Sequence, residues 1–341
     1  MAEAKAFITG LEGPRLGAAE RDFLRDERPW GLILFLRNCR EAAEIADLVA
    51  AFRDAVGRAD APVLIDQEGG RVQRLKPPGW RRYPPGRAYG ALYERDPEAG
   101  LAAAFAGARL IADDLVALGI NVDCLPLLDV PQPEGHEVIG DRAYAREPAA
   151  VAAVARAVAD GLLAGGVLPI AKHIPGHGRA ASDSHLELPV VTASRAELEA
   201  VDFPPFRALA DLPLAMTAHV VYTALDPALP ATTSPRVVAF IREELGFDGC
   251  LMGDDVSMQA LAGTIGERTR ALFAAGCDLA LHCNGRFDEM AAVAAGSPPL
   301  AGRAAERADR ALARLHPPEP FDRAAAEATV AALVAAAEAM A

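Results

Sequence analysis

Eight short apolar runs, each closed by turn residues and each followed by helical patterning, constrain this chain more than any other feature. They are Ala6–Leu11, Gly31–Arg37, Pro62–Glu68, Asn121–Val130, Leu168–Ile174, Pro213–Val220, Asp248–Asp254 and Cys277–Cys283. The runs are almost uniformly apolar, as strands buried on both faces of a parallel sheet are. Helices are expected over Glu41–Val56, Pro97–Leu118, Pro148–Ala164, Ser194–Ala210, Pro235–Leu245 and Met258–Ala275, with Leu16–Arg25 a weaker first one. Strand then helix, eight times, predicts an α/β fold: a single-domain (β/α)8 barrel. An open doubly wound sheet with an appended domain is the second choice. The tail from Ala301 is rich in Ala, Glu and Arg and reads as two helices around HPPEPFD. Those helices are expected to cover the barrel, which makes residues 1–341 one domain.

Composition narrows the function classes. The chain has 341 residues, 52% of them apolar, and 47 acidic against 34 basic side chains give a net charge of −13. Nucleic-acid binders usually carry the opposite sign, so no nucleic-acid partner is expected. The five cysteines form no C-x-x-C pair and are odd in number, which suggests neither a disulfide framework nor a zinc knuckle. The opening MAEAKAFITGLEG lacks a basic segment followed by an apolar one, and no stretch approaches the roughly 20 apolar residues of a membrane span. A cytoplasmic, monomeric protein without a membrane partner is expected.

Long loops rich in Pro and Gly follow the third strand (Gly69–Gly90), the fourth (Pro131–Glu147), the fifth (Pro175–Pro189) and the sixth (Tyr222–Pro235). All leave the strand ends where barrels place their chemistry. The third strand closes with VLIDQEGGRVQR, so Asp66 and Glu68 meet two glycines and then Arg71 and Arg74. A carboxylate beside a guanidinium suits a neutral polyol, though a salt-bridge cluster closing the mouth would look the same. In the fourth loop, Asp141 and Arg142 could be a structural pair or could offer a forked donor to the mouth.

The sharpest signal is LPIAKHIPGHGRAASDSHLELP. Lys172 and His173 end a strand, His177 follows between glycines, and Asp183 and His185 come within the same loop. Asp183 can hold the His185 imidazole in one tautomer, which makes His185 a general acid/base candidate. On the seventh strand Asp254 is the first polar residue after an apolar run, a candidate nucleophile or metal ligand. Asp255 is read as a helix N-cap or first-turn carboxylate, and His219 and His282 as structural histidines.

These four motifs, DQEGGRVQR, GDRAY, KHIPGHG with DSH downstream, and GDDVSM, resemble glycoside hydrolase family 3 over roughly residues 5–300. The resemblance is greatest to its single-domain bacterial β-N-acetylglucosaminidases of peptidoglycan recycling. The family pattern usually has Phe where Ile174 stands and Ser where Gly253 stands, and neither change touches a reacting group. The resemblance implies Asp254 as nucleophile, His185 as acid/base and Asp183 as its partner. It also implies that Asp66, Arg74, Arg142, Lys172 and His173 bind an N-acetylglucosamine unit, with no cofactor and no metal. The implied activity is retaining hydrolysis of muropeptide fragments through a glycosyl-enzyme. An imidazole tolerates a nearby anion better than a carboxylate does, so phosphate could compete with water.

Two rival readings come from the same residues. A metal-dependent barrel hydrolase would take His173, His177, His185 and Asp254 as ligands. A catalytically inactive glycan-binding protein would not need Asp254, His185 and Asp183 together.

Overall fold

In the computed structural model, which describes residues 4–184 and 186–339, the eight apolar runs become the staves of a closed parallel barrel. Its strands are β1 (Lys5–Thr9), β2 (Pro29–Leu34), β3 (Val63–Ile65), β6 (Val122–Asp123), β7 (Leu168–Ile174), β9 (Leu214–Thr217), β11 (Cys250–Asp255) and β12 (Leu279–His282). Around the barrel the order is β1-β12-β11-β9-β7-β6-β3-β2. Two small additions lie in the loops, the hairpin of β4 (Gln67–Gly69) with β5 (Val72–Gln73) and the pair of β8 (Val190–Val191) with β10 (Val221–Tyr222). The expected α/β barrel is therefore the observed fold.

Helices run down the outside: α1 (Ala18–Glu27), α2 (Ala42–Val56), α3 (Gly86–Arg95), α4 (Pro97–Val116), α5 (Pro148–Ala164), α6 (Arg195–Ala200), α7 (Pro204–Ala208), α8 (Pro235–Glu243), α9 (Ile265–Ala275) and α10 (Phe287–Gly296). After them come α11 (Gly302–Leu312) and α12 (Arg323–Glu338). Three departures from the sequence reading have local causes. The helix expected over Ser194–Ala210 splits into α6 and α7, because Pro204 and Pro205 have no N–H to continue it. The helix expected from Met258 begins only at Ile265, where Thr264 caps it by accepting from the Glu267 N–H. Of the run Asn121–Val130 only Val122 and Asp123 form a continuous strand, with Leu127 bridging Lys172 as an isolated pair beyond Pro126, which has no N–H to donate.

The barrel interior is filled by side chains such as Ile8, Trp30, Leu64, Ile170, Met252 and Leu281. At the end away from the long loops α11 adds Ala308 and Ala311 to this cluster. A second apolar layer lies between strands and helices. Helix α12 packs on α3 and α4. There Arg81 bridges Glu327 of α12, at 2.9 Å, to Asp114 of α4, at 3.3 Å, and the Tyr83 hydroxyl donates to Asp114 at 2.7 Å. Among the described residues no helix is long and apolar enough to cross a membrane, and the five cysteines are all free.

Candidate active site

Strand periodicity carries the site. Leu64 and Ile170 face the barrel interior, and two residues further along come Asp66 and Lys172; Met252 faces it too, and Asp254 follows across a register shift in β11. Side chains two apart share a face, so the interior column that is apolar below turns charged at the mouth. There it opens into a cavity of about 440 Å³, within the usual range for small-ligand sites. Asp66, Arg74, Arg142, Lys172, His173 and Asp254 all line it, together with Glu68, His177 and Ser184.

The hairpin after β3 brings Arg74 back over Asp66. Gly69 and Gly70 turn at positive φ (96° and 55°), where a Cβ would be strained, and a Cβ on Gly69 would also collide with the Pro84 carbonyl. Gln67 fastens the return, its Oε1 accepting from the N–H groups of Arg74 and Leu75 at 2.9 and 3.0 Å. Arg74 Nη2 then meets Asp66 Oδ2 at 2.8 Å. Lys172 Nζ lies between two carboxylates, 3.2 Å from Asp66 Oδ1 and 2.6 Å from Glu68 Oε1. Arg142 reaches Glu68 from the fourth loop with a two-pronged bond, Nε to Oε2 at 2.9 Å and Nη2 to Oε1 at 2.8 Å.

Burial opposes every charge in this cluster, and the partners overcome it. Lys172 and Arg74 hold the Asp66 carboxyl below its ordinary value despite burial. Glu68 falls to about 2 because Arg142 and Lys172 outweigh its desolvation. Lys172 is held above its ordinary value, with Glu68 and Asp66 outweighing burial. Three cations against two carboxylates leave a formal excess of one positive charge beside Asp254. Beneath them Asp123 behaves oppositely: burial pushes its carboxyl up to about 8, so at neutral pH it is mostly uncharged.

A second carboxylate orders the histidines. Asp129 Oδ2 lies 2.8 Å from His173 Nδ1, and its Oδ1 accepts from the N–H groups of His173 (3.2 Å) and His177 (2.6 Å). Asp129 is lowered to about 2, His173 and His177 outweighing its complete burial. As a carboxylate it can only accept, so His173 carries a proton on Nδ1, and this bond fixes the orientation of its ring. His177 is pushed down to about 4, chiefly by burial and then by His173, and its Nε2 lies 3.3 Å from Ser184 Oγ.

Asp183, next to Ser184, does not line the cavity; its carbonyl accepts from the N–H groups of Leu186 and Glu187. The proposed acid/base, His185, lies outside the described residues. Asp254, half buried, has Oδ1 2.8 Å from the Asp255 N–H. The reading of Asp255 as a helix cap is overturned: it is the last residue of β11, and the next helix starts at Ile265. Its carboxylate instead accepts from Ser257 N, Ser257 Oγ and Cys283 N. His219 is bonded through both ring nitrogens, and His282 Nε2 lies 3.4 Å from Glu289 Oε2.

Sequence reasoning missed two residues as parts of the site. Glu68 reads in the sequence as a strand-end acid beside Arg71 and Arg74, whereas in the fold it ties Lys172 to Arg142. Asp129 stands alone in the apolar stretch CLPLLDV. A single acid in such a run must find a partner when buried, and that was the available signal.

Comparison with known proteins identifies the family of the chain. The glycosyl hydrolase family 3 N-terminal domain matches residues 7–314. The chain is 42% identical over 282 residues to the β-hexosaminidase of Alkalilimnicola ehrlichii, spanning 81% of this chain and 80% of that protein. The β-hexosaminidase of Methylococcus capsulatus is 43% identical over 278 residues, or 80% and 81% of the two. Native NagZ from Neisseria gonorrhoeae has the same fold, with a TM-score of 0.87 at 34% identity, over 97% of this chain and 98% of that one. NagZ from the same organism in complex with N-trifluoroacetyl-D-glucosamine gives 0.86 at 33%, with the same coverage. The chain belongs to glycosyl hydrolase family 3.

Proposed function

We propose that this glycoside hydrolase is a retaining β-N-acetylglucosaminidase that removes terminal N-acetylglucosamine from peptidoglycan-derived fragments such as GlcNAc-1,6-anhydro-MurNAc and its peptides. The observation that carries the reading is the meeting, in one cavity, of Asp254 with Asp66, Arg74, Arg142, Lys172 and His173. Relatives named β-hexosaminidase, and one solved with an N-acylated glucosamine, support the hexosamine part. The muropeptide part rests on the motif resemblance.

In this reading Asp254 attacks the anomeric carbon through an oxocarbenium-like transition state, and the glycosyl-enzyme is then opened by water. His185 gives its proton to the leaving oxygen and later takes one from the water, with Asp183 holding its imidazole. Asp66 accepts from sugar hydroxyls, Arg74, Arg142 and Lys172 donate to sugar oxygens, and His173 offers the ring edge that Asp129 orients. Their charges are already paired and fixed, so little reorganisation accompanies binding. The chain acts as one catalytic domain, a cytoplasmic monomer, with α11 and α12 packed on the barrel.

The decisive experiment is to incubate the purified protein with p-nitrophenyl β-N-acetylglucosaminide, with and without phosphate, and to identify the sugar released. Free N-acetylglucosamine of retained configuration is expected. A sugar 1-phosphate would make the protein a phosphorylase, and no release would leave only a glycan-binding role.

A further inference from the structure

β11 arrives at the mouth with one residue more than its neighbour. Met252 pairs with Leu279 of β12 and Asp255 with Leu281, three steps against two. Such a bulge breaks the regular alternation and re-aims the strand end. A Cβ at Gly253 would meet Leu272 Cδ1 and stand 3.0 Å from Thr232 Cγ2, so those side chains would have to shift. The ladder alone does not set where Asp254 points.

A chain of buried hydrogen bonds supplies what the ladder lacks. His219 Nε2 lies 2.9 Å from the Asp255 carbonyl, His219 Nδ1 lies 2.7 Å from Thr232 Oγ1, and Thr232 Oγ1 lies 2.7 Å from Thr217 Oγ1. A carbonyl only accepts, so the proton is on Nε2 and Nδ1 is an acceptor. Thr232 then donates to Nδ1, the shorter of its two contacts with an acceptor, the Ala218 carbonyl lying at 3.2 Å, and accepts from Thr217. Burial favours the neutral ring. Asp255 is held a second time by its carboxylate, which accepts from Cys283 N at 3.2 Å and Ser257 Oγ at 2.7 Å. With carbonyl and side chain both fastened, its N–H is aimed at Asp254 Oδ1, 2.8 Å away.

We propose that His219 is a positioning residue for Asp254: by holding the Asp255 carbonyl it fixes the backbone of Asp255 on one side, while the N–H on the other side of the same residue anchors Asp254 Oδ1. The proposal rests on the reading of Asp254 as nucleophile. In that step a bond forms from the Asp254 carboxylate to C1 as the C1–aglycone bond breaks. The electron pair of the broken bond leaves on the aglycone oxygen, which takes its proton from the acid.

The test compares His219→Gln, His219→Asn and Thr232→Val on p-nitrophenyl β-N-acetylglucosaminide. Gln carries an amide about as far as Nε2 and can donate to the Asp255 carbonyl; Asn stops near the Nδ1 position. Thr232→Val keeps the side-chain shape and removes the hydroxyl that locks the tautomer. Outer partners of reacting groups typically matter by roughly 10–100-fold. We expect His219→Asn to lose about that much in kcat with KM nearly unchanged, His219→Gln to stay within about fivefold of the native protein, and Thr232→Val to fall between. Nitrogen-15 NMR at neutral pH should show His219 as the neutral Nε2–H tautomer. Equal losses in the Gln and Asn variants, a change confined to KM, or an Nδ1–H or charged ring would overturn the proposal. An inert native protein would instead bring down the nucleophile reading, and this proposal with it.

Discussion

Arg142 holds Glu68 by two parallel hydrogen bonds although the residues lie 74 positions apart in the chain. The same carboxylate takes Lys172 at 2.6 Å, so Glu68 is the hub on which two cations of the cavity are mounted without being expected to touch substrate first.

Glu68→Gln tests that hub. The amide keeps the shape but removes the charge, and breaking a buried ion pair typically costs about 3–5 kcal/mol. The variant should melt at a lower temperature, and its KM for the aryl N-acetylglucosaminide should rise at least about tenfold, since roughly 1.4 kcal/mol of lost binding is tenfold. Steady-state kinetics beside a thermal melt checks both. Unchanged KM in a destabilised protein would confine Glu68 to a scaffolding role.

Asp254→Ala should abolish nearly all turnover while the melting curve stays close to native. A 2-deoxy-2-fluoro glycoside should label Asp254 of the native enzyme, as read by peptide mass spectrometry. Label on Asp66 or Asp255 would move the nucleophile elsewhere.

His185→Ala should separate the two steps. General acid–base help is worth roughly 10²–10⁴-fold, and p-nitrophenolate scarcely needs a proton. Natural disaccharides should therefore lose far more rate than the aryl substrate, and azide should rescue deglycosylation as a β-glycosyl azide. Asp183→Ala should show the same pattern more weakly. Uniform loss across leaving groups with no azide product would make His185 a binding residue.

Asp123 predicts a pH dependence of stability. Its Oδ1 accepts from the Gln67 N–H at 3.0 Å and its buried Oδ2 has no hydrogen-bond partner among the described residues. With its carboxyl pushed up to about 8, the folded protein keeps a proton that the unfolded chain gives up above about pH 4. The folded state binds more protons in that window, so this group's contribution falls as pH rises from about 4 to 8, at up to about 1.4 kcal/mol per pH unit. Asp123→Asn should flatten that slope and gain on the native protein at the alkaline end. Urea melts across the window measure it, and parallel slopes would sink the idea. Glu68 and Asp129, both lowered to about 2, act in the other sense. Their contribution is whole above the ordinary carboxylate range and is lost as pH falls towards 2.

The proposed scheme uses side chains alone, so dialysis against EDTA should leave turnover intact. Activity lost to the chelator and restored by zinc would favour the metal-dependent alternative built on His173, His177, His185 and Asp254.

The barrel was legible because parallel strands buried on both faces leave a plain signature, and the strand-end residues inherited their direction from it. Asp66 and Lys172 follow from a period of two, whereas Asp254 sits in the bulge of β11. What the chain did not announce depends on contacts distant in sequence. Pairing of Glu68 with Arg142, or of Asp129 with His173, requires loops whose paths no local pattern specifies. Asp255 misled for a related reason: an acid before an apparent helix looks like a cap, and only the bulge in β11 shows it as a strand residue. The split of α6 from α7, by contrast, was written in the Pro204–Pro205 pair.

Arg81, bound to Glu327 of α12 as well as to Asp114 of α4, lies in the same loop that carries Arg74. The last helix is thus a buttress for the wall of the mouth rather than a trailing end. A chain cut before residue 323 would lose the carboxylate that steadies this loop, and a bulky fusion wedged beneath α12 would lever against it. Alterations made at the far end of the polypeptide should therefore be felt where the sugar is held.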